Sequence, residues 1–297
     1  MGNKKTAYIA IVGRPNVGKS TLLNAMIREK IAIVSNKPQT TRNRILGVLT
    51  KDEAQYVFLD TPGIFKPRNA LGEYMVKEAD STLSDADAVI VMVDAAKPIG
   101  EVEERLIASL ESSGLPAILA VNKMDTVTPE QLAVCLKTYA DRYAFDAFVP
   151  LSAKNGKNIE VLLTECSAFL SESEWFFPED MTTDQPIRQM AAEIIREKIL
   201  RTLDKEVPHG VAVVIEEFRA EGDLTRIRAE IFCEKASHKG IIVGKNGEEL
   251  KRVGSYARAD LEKLLGCKVY LNLWVKVKEN WRDSARSVTN FGYTEDR

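Results

Sequence analysis

The segment Gly13-Arg14-Pro15-Asn16-Val17-Gly18-Lys19-Ser20 constrains this chain more than any other stretch. It reads G-x-x-x-x-G-K-S between an apolar run, Tyr8 to Val12, and a helix-like stretch opening at Thr21, the strand, loop and helix context of a P-loop. In such a loop the backbone N–H groups of Asn16, Val17, Gly18, Lys19, Ser20 and Thr21 close around phosphate oxygens. Lys19 would bring a cation to the β/γ bridge, and the Ser20 hydroxyl would become a Mg²⁺ ligand. The loop predicts a nucleoside triphosphate and is silent on the base.

The base is chosen further along. A second apolar run, Ala117 to Val121, ends in Asn122-Lys123-Met124-Asp125, at the carboxyl edge of a predicted parallel strand where open α/β sheets bind their ligands. Asp125 can accept hydrogen bonds from guanine N1–H and N2–H₂. Adenine offers neither in that place, and a buried acceptor left unpaired costs about 1–3 kcal/mol. Asn122 would brace the loop near guanine N7, and the Lys123 stem would lie along the purine face. Ser152-Ala153-Lys154 follows the strand-like Ala147 to Leu151, with the Ala153 N–H expected to point at guanine O6.

Between these elements lie residues suited to phosphate hydrolysis. Tyr56 to Leu59 reads as a strand and Asp60-Thr61-Pro62-Gly63 follows it, Asp60 for Mg²⁺ through a water and the Gly63 N–H for the γ-phosphate. Upstream, Gln39-Thr40-Thr41-Arg42 can fold over the nucleotide; one of the two threonines should complete the Mg²⁺ shell, with Thr41 favoured and Thr40 in reserve. Lys19, Thr41 and Gly63 are the candidate catalytic residues.

With these motifs in order, the first half resembles the translation-factor-type GTPases, in the branch that carries T-T-R and D-T-P-G. In Ras-like relatives a glutamine follows D-x-x-G and orients the attacking water; here the residue is Ile64, so hydrolysis must be assisted by backbone, a partner or a monovalent cation. GTPases with a similar N-V-G-K-S loop use its asparagine to hold K⁺, which makes Asn16 a candidate K⁺ ligand.

The chain has 297 residues, enough for two ordinary domains, and 45% apolar residues, enough for two cores. A net charge of −2 gives no global sign of nucleic acid, but the distribution does. Residues 1 to 180 carry 20 Lys+Arg against 24 Asp+Glu, whereas Lys235 to Arg286 carries 12 against 6. The four cysteines are too scattered for a CxxC site, and a disulfide framework is not expected in a chain of this size. With His209 and His238 as the two histidines, a zinc site is not expected either. Lys4 and Lys5 precede an apolar stretch too short for a signal peptide, and no window reaches 18 apolar residues, so a cytosolic chain without a transmembrane segment is expected.

From Tyr8 to about Leu170, apolar strands alternate with helical stretches such as Val102 to Ser112 and Pro129 to Tyr143, which predicts a doubly wound, mainly parallel α/β sheet over residues 1–172. Trp175-Phe176-Phe177-Pro178 marks a linker with an aromatic clasp over 173–185. A smaller α+β domain follows over 186–297. Its first helix, Ile187 to Leu203, repeats apolar residues near a 3.6 period; two alternating strands come next, with Ile227, Ala229, Ile231 and Cys233 on one face of the second. Then come the loop Gly244-Lys245-Asn246-Gly247, a helix to Leu265 and a strand from Val269 to Val277.

The order α-β-β-α-α-β with G-x-x-G between the last two helices resembles a type II KH domain. In that fold the glycines let the backbone approach a sugar-phosphate chain while single-stranded bases lie in an apolar groove. The resemblance implies RNA contacts from Ile242, Gly244, Lys245, Asn246, Gly247, Lys251 and Arg252, with Asn246 standing where such loops often carry a basic residue. With F-F-P-E-D, E-I-I-R-E-K and L-W-V-K-V-K (Leu273 to Lys278) added, nearly the whole chain resembles the Era family of bacterial ribosome-assembly GTPases. That implies slow GTP hydrolysis to GDP and binding of the 3′ end of small-subunit ribosomal RNA during assembly of the small ribosomal subunit. It also implies a monomer with peripheral contact at the inner face of the cell membrane.

Two other readings stand beside it. GTPases of tRNA modification share T-T-R and D-T-P-G but close on a cysteine motif, whereas this sequence closes on Glu295-Asp296-Arg297. A nucleotide-switched protein-interaction module would use the C-terminal domain to dock a partner without touching RNA.

Overall fold

A computed structural model of the chain describes residues 4–203 and 207–294. The terminal residues of the two predicted domains, including the closing Glu295-Asp296-Arg297, lie outside the described residues. The chain separates into two compact units, the first built mainly from the residues up to Asp184 and the second from those from Gln185 onward; the short stretches Ile33–Thr40 and Pro67–Tyr74 cluster with the second.

The first unit is built on a sheet ordered β2-β3-β1-β4-β5-β6. Its strands are β1 (Lys5–Val12), β2 (Ile45–Lys51), β3 (Ala54–Asp60), β4 (Ala88–Asp94), β5 (Ala117–Asn122) and β6 (Ala147–Pro150). All neighbours are parallel except β2, which runs antiparallel to β3 through a hairpin whose Asp52 takes φ 54°. Asp and Asn tolerate the left-handed region best, because their short polar side chains bond locally.

Period-two alternation divides the strands between two cores. Ala7, Ile9 and Ile11 of β1 face α1 (Lys19–Ile27) and α5 (Ile159–Cys166), packing on Leu22, Leu23, Met26, Leu162 and Cys166. Ala10 and Val12 face the other way, toward α3 (Glu101–Ser113) and α4 (Pro129–Ala140), through Leu106, Leu110, Cys135 and Tyr139. The central strands are covered on both faces, so their sequences read as continuous apolar runs.

Residues 173–184, read from sequence as part of a linker, are bonded into this first unit. The Gln55 side chain accepts from the Phe176 and Phe177 amides, each at 3.0 Å, and donates to the Phe177 carbonyl at 2.9 Å. The Val48 amide donates to the Thr182 carbonyl at 2.8 Å. Just before them, β7 (Ser171–Glu172) pairs antiparallel with the start of β1.

The second unit packs α6 (Ile187–Thr202), α7 (Ala236–Val243) and α8 (Glu248–Leu265) on a three-stranded sheet ordered β10-β9-β8. These strands are β8 (Ala212–Glu221), β9 (Leu224–Cys233) and β10 (Lys268–Val277); β8 is antiparallel and β10 parallel to β9. A bulge at Glu216 shifts the β8 register and keeps Ile215 and Phe218 on the helix side. The core gathers Ile195, Ile199, Ile227, Ile231, Val253, Ala257 and Leu261, all essentially without solvent exposure. The stretch 33–40 is tied to α6, where the Glu197 carboxylate accepts from the Val34 amide at 3.0 Å and Arg196 donates to the Thr40 carbonyl.

Candidate functional site

In the first unit the carboxyl ends of β1, β3 and β5 bring the predicted nucleotide motifs together. The loop after β1 runs into α1, whose N-terminal residue is Lys19, with Gly18 at φ 107°. A Cβ on Gly18 would lie 2.4 Å from the Asn122 amide nitrogen, so a side chain there would expel Asn122. Lys19 is buried and donates to the Gly13 and Arg14 carbonyls, each at 3.2 Å. These bonds fold the ammonium into the loop it would share with phosphate oxygens. Burial pulls its pKa down, opposed by the nearby Asp60 carboxylate.

The three predicted metal ligands converge. Ser20 Oγ lies 2.7 Å from Thr41 Oγ1 and donates to Asp60 Oδ2 at 2.6 Å. Thr40 does not join them, since its hydroxyl donates to the Lys37 carbonyl at 2.7 Å; of the two threonines it is Thr41 that meets Ser20. Asp60 is fully buried, its second oxygen, Oδ1, has no hydrogen-bond partner, and burial raises its pKa to about 6. A buried carboxylate oxygen without a partner is costly unless a cation or donor meets it. Two hydroxyls and this carboxylate form a hard oxygen set suited to Mg²⁺, so the residues present fit that ion.

Gly63 is buried beside the loop, and a Cβ there would fall 2.6 Å from the Pro15 nitrogen. Ile64 packs against the core on the α3/α4 side of the sheet. Asn16 is exposed at φ 65°, Val17 is buried, and Thr21 lies in the first turn of α1.

Asn122, buried at the end of β5, is a bridge between two motifs. Its amide donates to the Val17 carbonyl at 2.6 Å, and its oxygen accepts the Ala153 N–H at 2.9 Å. The Ala153 N–H, expected to point at guanine O6, donates here to Asn122. Lys123, at φ 64°, donates to the Asn16 carbonyl at 3.0 Å and to the Asp94 carboxylate at 2.7 Å. Asp125 is exposed, and a hydrogen bond from the Ser152 side chain holds its carboxyl below the usual range, with Lys154 and Asn155 contributing less. Asp94 and Asn155 were not singled out from sequence. Asp94 could have been, as the polar residue ending the strand next to β5.

In the second unit a groove of ≈ 480 Å³ runs between α8 and β10. Gly247, Lys251, Gly254, Ser255 and Arg258 line its helix side, and Tyr270, Leu271 and Leu273 its strand side. Lys245 and Asn246 are exposed in the adjoining loop, where Gly244, Asn246 and Gly247 all have positive φ. Two predicted RNA contacts need correction or qualification. Ile242 has no exposed surface because it belongs to the core under α7; its neighbour Ile241 is the exposed one. Arg252 is paired with Glu249 at 2.6 Å and does not line the groove. Sequence reading missed Arg258, although Lys251, Ser255 and Arg258 at i, i+4 and i+7 mark one helical face.

Two family profiles divide the chain in the same way: one described as a 50S ribosome-binding GTPase matches residues 8–123, and one described as a KH domain matches residues 206–282. GTPase Era of Clostridioides difficile (strain 630) is 50% identical over 294 residues, spanning 98% of this chain and 99% of that one. The chain belongs to the Era family. GTPase Era of Alkaliphilus metalliredigens (strain QYMF) is 49% identical over 97% of this chain and 99% of its own length. A crystal structure of Era in complex with MgGDPNP and nucleotides 1506–1542 of 16S ribosomal RNA superposes with a TM-score of 0.95 at 40% identity, covering 98% of this chain and 99% of that one. An Aquifex aeolicus Era variant bound to GDP·AlF4⁻ gives 0.94 at 40% identity, with the same coverage. As an Era-family member the chain is a GTPase, with an α/β P-loop unit followed by a KH unit. Among the described residues no helix is long and apolar enough to cross a membrane.

Proposed function

We propose that this GTPase acts in assembly of the small ribosomal subunit, its KH unit holding the single-stranded 3′ region of the small-subunit ribosomal RNA. The observation that carries the RNA reading is the α8/β10 groove, an apolar trough edged by Lys251 and Arg258 and opening beside a glycine loop. Single-stranded bases need such a trough, and their phosphates need cations and close backbone approach. The Era relative solved with a 16S segment supports the same assignment.

In the nucleotide unit, Ser20, Thr41 and Asp60 would hold Mg²⁺, Asp60 through a water. An Mg²⁺ held by these residues would supply positive charge against the charge that develops on the phosphates during transfer to water. Lys19 leaves the Gly13 and Arg14 carbonyls for the phosphates, and the Gly63 N–H holds the γ-phosphate. Asp125, kept ionised and oriented by Ser152, reads guanine. Ile64 cannot orient water, so turnover is slow and Asn16 is the residue placed to hold K⁺. The family reading also carries a monomer in the cytoplasm with peripheral contact at the membrane's inner face.

The test is a titration of the full chain with short single-stranded RNA at several salt concentrations, using Gly247→Asp. A Cβ on Gly247 meets nothing within 4 Å, and at its φ of 81° Asp is among the side chains that strain least, so the variant's melting temperature is read beside its binding; a Cβ on Gly244 would in addition lie 2.7 Å from Glu249 Cγ. Gly247→Asp places a carboxylate beside the phosphate path and should weaken binding tenfold or more with GTP hydrolysis unchanged. Lys251→Ala should flatten the salt slope by about 0.7, the value for one lost single-strand phosphate contact. Full binding by Gly247→Asp, or no RNA bound at low salt, would favour the protein-interaction module instead.

A further inference from the structure

The phosphate loop carries two cations, Arg14 and Lys19, and the fold turns them opposite ways. Lys19 is buried and donates to the Gly13 and Arg14 carbonyls, each at 3.2 Å. The Arg14 side chain leaves the loop for the start of α3, where its Nη2 donates to the Glu103 carboxylate and, at 3.2 Å, to the Pro98 carbonyl. Arg14 is therefore engaged away from the phosphate side of the loop.

Glu103 is set up for this contact. Its side chain is 5% exposed, and the carboxylate oxygen that meets Arg14 also accepts the Gly100 amide at 3.1 Å, which fixes it across the first turn of α3. Gly100 makes the room, since a Cβ there would fall 2.6 Å from Arg14 Nη2. The buried Tyr139 of α4 faces the same carboxylate: burial first, and the Glu103 charge next, push its phenol pKa up. A buried ion pair adds little net stability over apolar side chains of the same size. What it adds is direction, because charge-assisted hydrogen bonds hold a guanidinium in one place.

The segment held in this way borders the reacting end of the nucleotide site. A Cβ on Gly63 would lie 2.6 Å from the Pro15 nitrogen, and the Ile64 amide donates to the Gly13 carbonyl at 3.3 Å, so Gly63 rests directly against residues 13–15. When Lys19 leaves for the phosphates, the Gly13 and Arg14 carbonyls lose its ammonium, and the tie from Arg14 to Glu103 keeps this leg of the loop in place. A shift of the leg moves the Gly63 N–H, and a misplacement of about 1 Å near reacting groups costs up to ~100-fold in rate.

We propose that Glu103 is a positioning residue for GTP hydrolysis: through Arg14 it fixes residues 13–15 and so sets the Gly63 N–H for the γ-phosphate. This rests on the assignment of the phosphates to the loop, and the test separates the two.

The test is GTP hydrolysis by the full chain with Mg²⁺, measured beside GDP affinity and the melting temperature. Glu103→Ala should lower kcat about ten- to a hundredfold while KM for GTP and Kd for GDP change by less than about threefold, because the displaced N–H matters most as charge develops on the γ-phosphate. Arg14→Ala should act alike, and the double variant should be no worse than either single, since both remove one contact. Glu103→Gln, whose amide oxygen can still accept from Arg14 and Gly100, should keep most of the native kcat. Gly100→Ala alters neither charge, yet its Cβ displaces the guanidinium; it should also lower kcat, and it tests the contact even where Glu103→Ala does not fold. If both Glu103→Ala and Gly100→Ala hydrolyse GTP like the native chain, or if kcat, GDP affinity and melting temperature fall together, the pair is a structural contact and the positioning role is refuted. Lys19→Ala is the control for the site itself: undiminished hydrolysis and GDP binding in that variant would overturn the phosphate-loop assignment, and the positioning role with it.

Discussion

Replacing Asp60 by asparagine should make the nucleotide-free protein more stable while removing its use of Mg²⁺. Asp60 is fully buried, one of its oxygens is unpartnered, and burial lifts its pKa from 3.8 to about 6. A rise of that size corresponds to on the order of 3 kcal/mol disfavouring the carboxylate. The penalty has a definite sign. Because the folded pKa lies above the unfolded one, the folded state binds the extra proton between them, so native stability falls as pH rises from about 4 and the cost is fully present above about 6. Lys19 is the opposing influence, since it loses its countercharge in the variant. The net gain at neutral pH is then about 1–3 kcal/mol, or about 3–10 °C in the melting of the nucleotide unit. At pH 5 the advantage should shrink to roughly half, because the native carboxylate is then mostly protonated in the folded state. The assay is thermal unfolding of the nucleotide-free full chain at pH 7.5 and pH 5, paired with GTP binding with and without Mg²⁺. A variant that is no more stable than the native chain at pH 7.5, or whose advantage does not shrink at pH 5, would refute the burial argument. Retained Mg²⁺ dependence of GTP binding would show that Asp60 does not face the ion.

Two further outcomes follow from the same site. Asp125→Asn should exchange GTP for xanthosine triphosphate, because an amide can donate to the xanthine 2-oxo group; unchanged GTP affinity would remove Asp125 as the base reader. Intrinsic hydrolysis should be slow, about 10⁻⁴ to 10⁻² s⁻¹, slower still with Na⁺ in place of K⁺, and Asn16→Ala should erase that difference; equal native rates in the two salts would refute the cation role.

The nucleotide site was legible because each motif sits at the end of a strand whose apolar run is visible in sequence. Strand ends and turn residues together fix where Lys19, Asp60 and Asn122 emerge. What was not legible is which donor each polar group meets. Nothing local distinguishes Thr40 from Thr41; the choice comes from Ser20, about twenty positions away in the chain, as the 2.7 Å contact shows. The Ala153 amide similarly goes to Asn122 because the loop after β6 is anchored on the end of β5. In the second unit, Ile241-Ile242-Val243 is an unbroken apolar run on a short helix, and periodicity over so few residues does not say which one turns inward. Ile242 does, which removes it from the RNA surface. The groove's Arg258 was readable as part of a helical face, but the strand opposite it was needed to show that the face borders a cleft.

The position after D-T-P-G shows how one substitution redistributes the work of hydrolysis. Ile64 packs on the core formed with α3 and α4, and its amide lies 3.3 Å from the Gly13 carbonyl, so the residue ties the segment after Gly63 to the start of the phosphate loop. A glutamine there would have to leave that core to reach a water, exchanging buried apolar area for a hydrogen bond that is worth little until nucleotide is present. The segment is thus built for anchoring, and the polar assistance to water must come from outside it. Asn16 is the residue we propose for that role: it is exposed at positive φ in the loop, and Lys123 donates to its carbonyl. A monovalent cation held at that rim would supply positive charge without any movement of the Ile64 segment. If K⁺ assists hydrolysis here, Asn16→Ala should remove the K⁺ sensitivity and lower the melting temperature of the nucleotide unit only slightly, because alanine tolerates the loop's φ of 65° less well than asparagine while the Ile64 core is untouched.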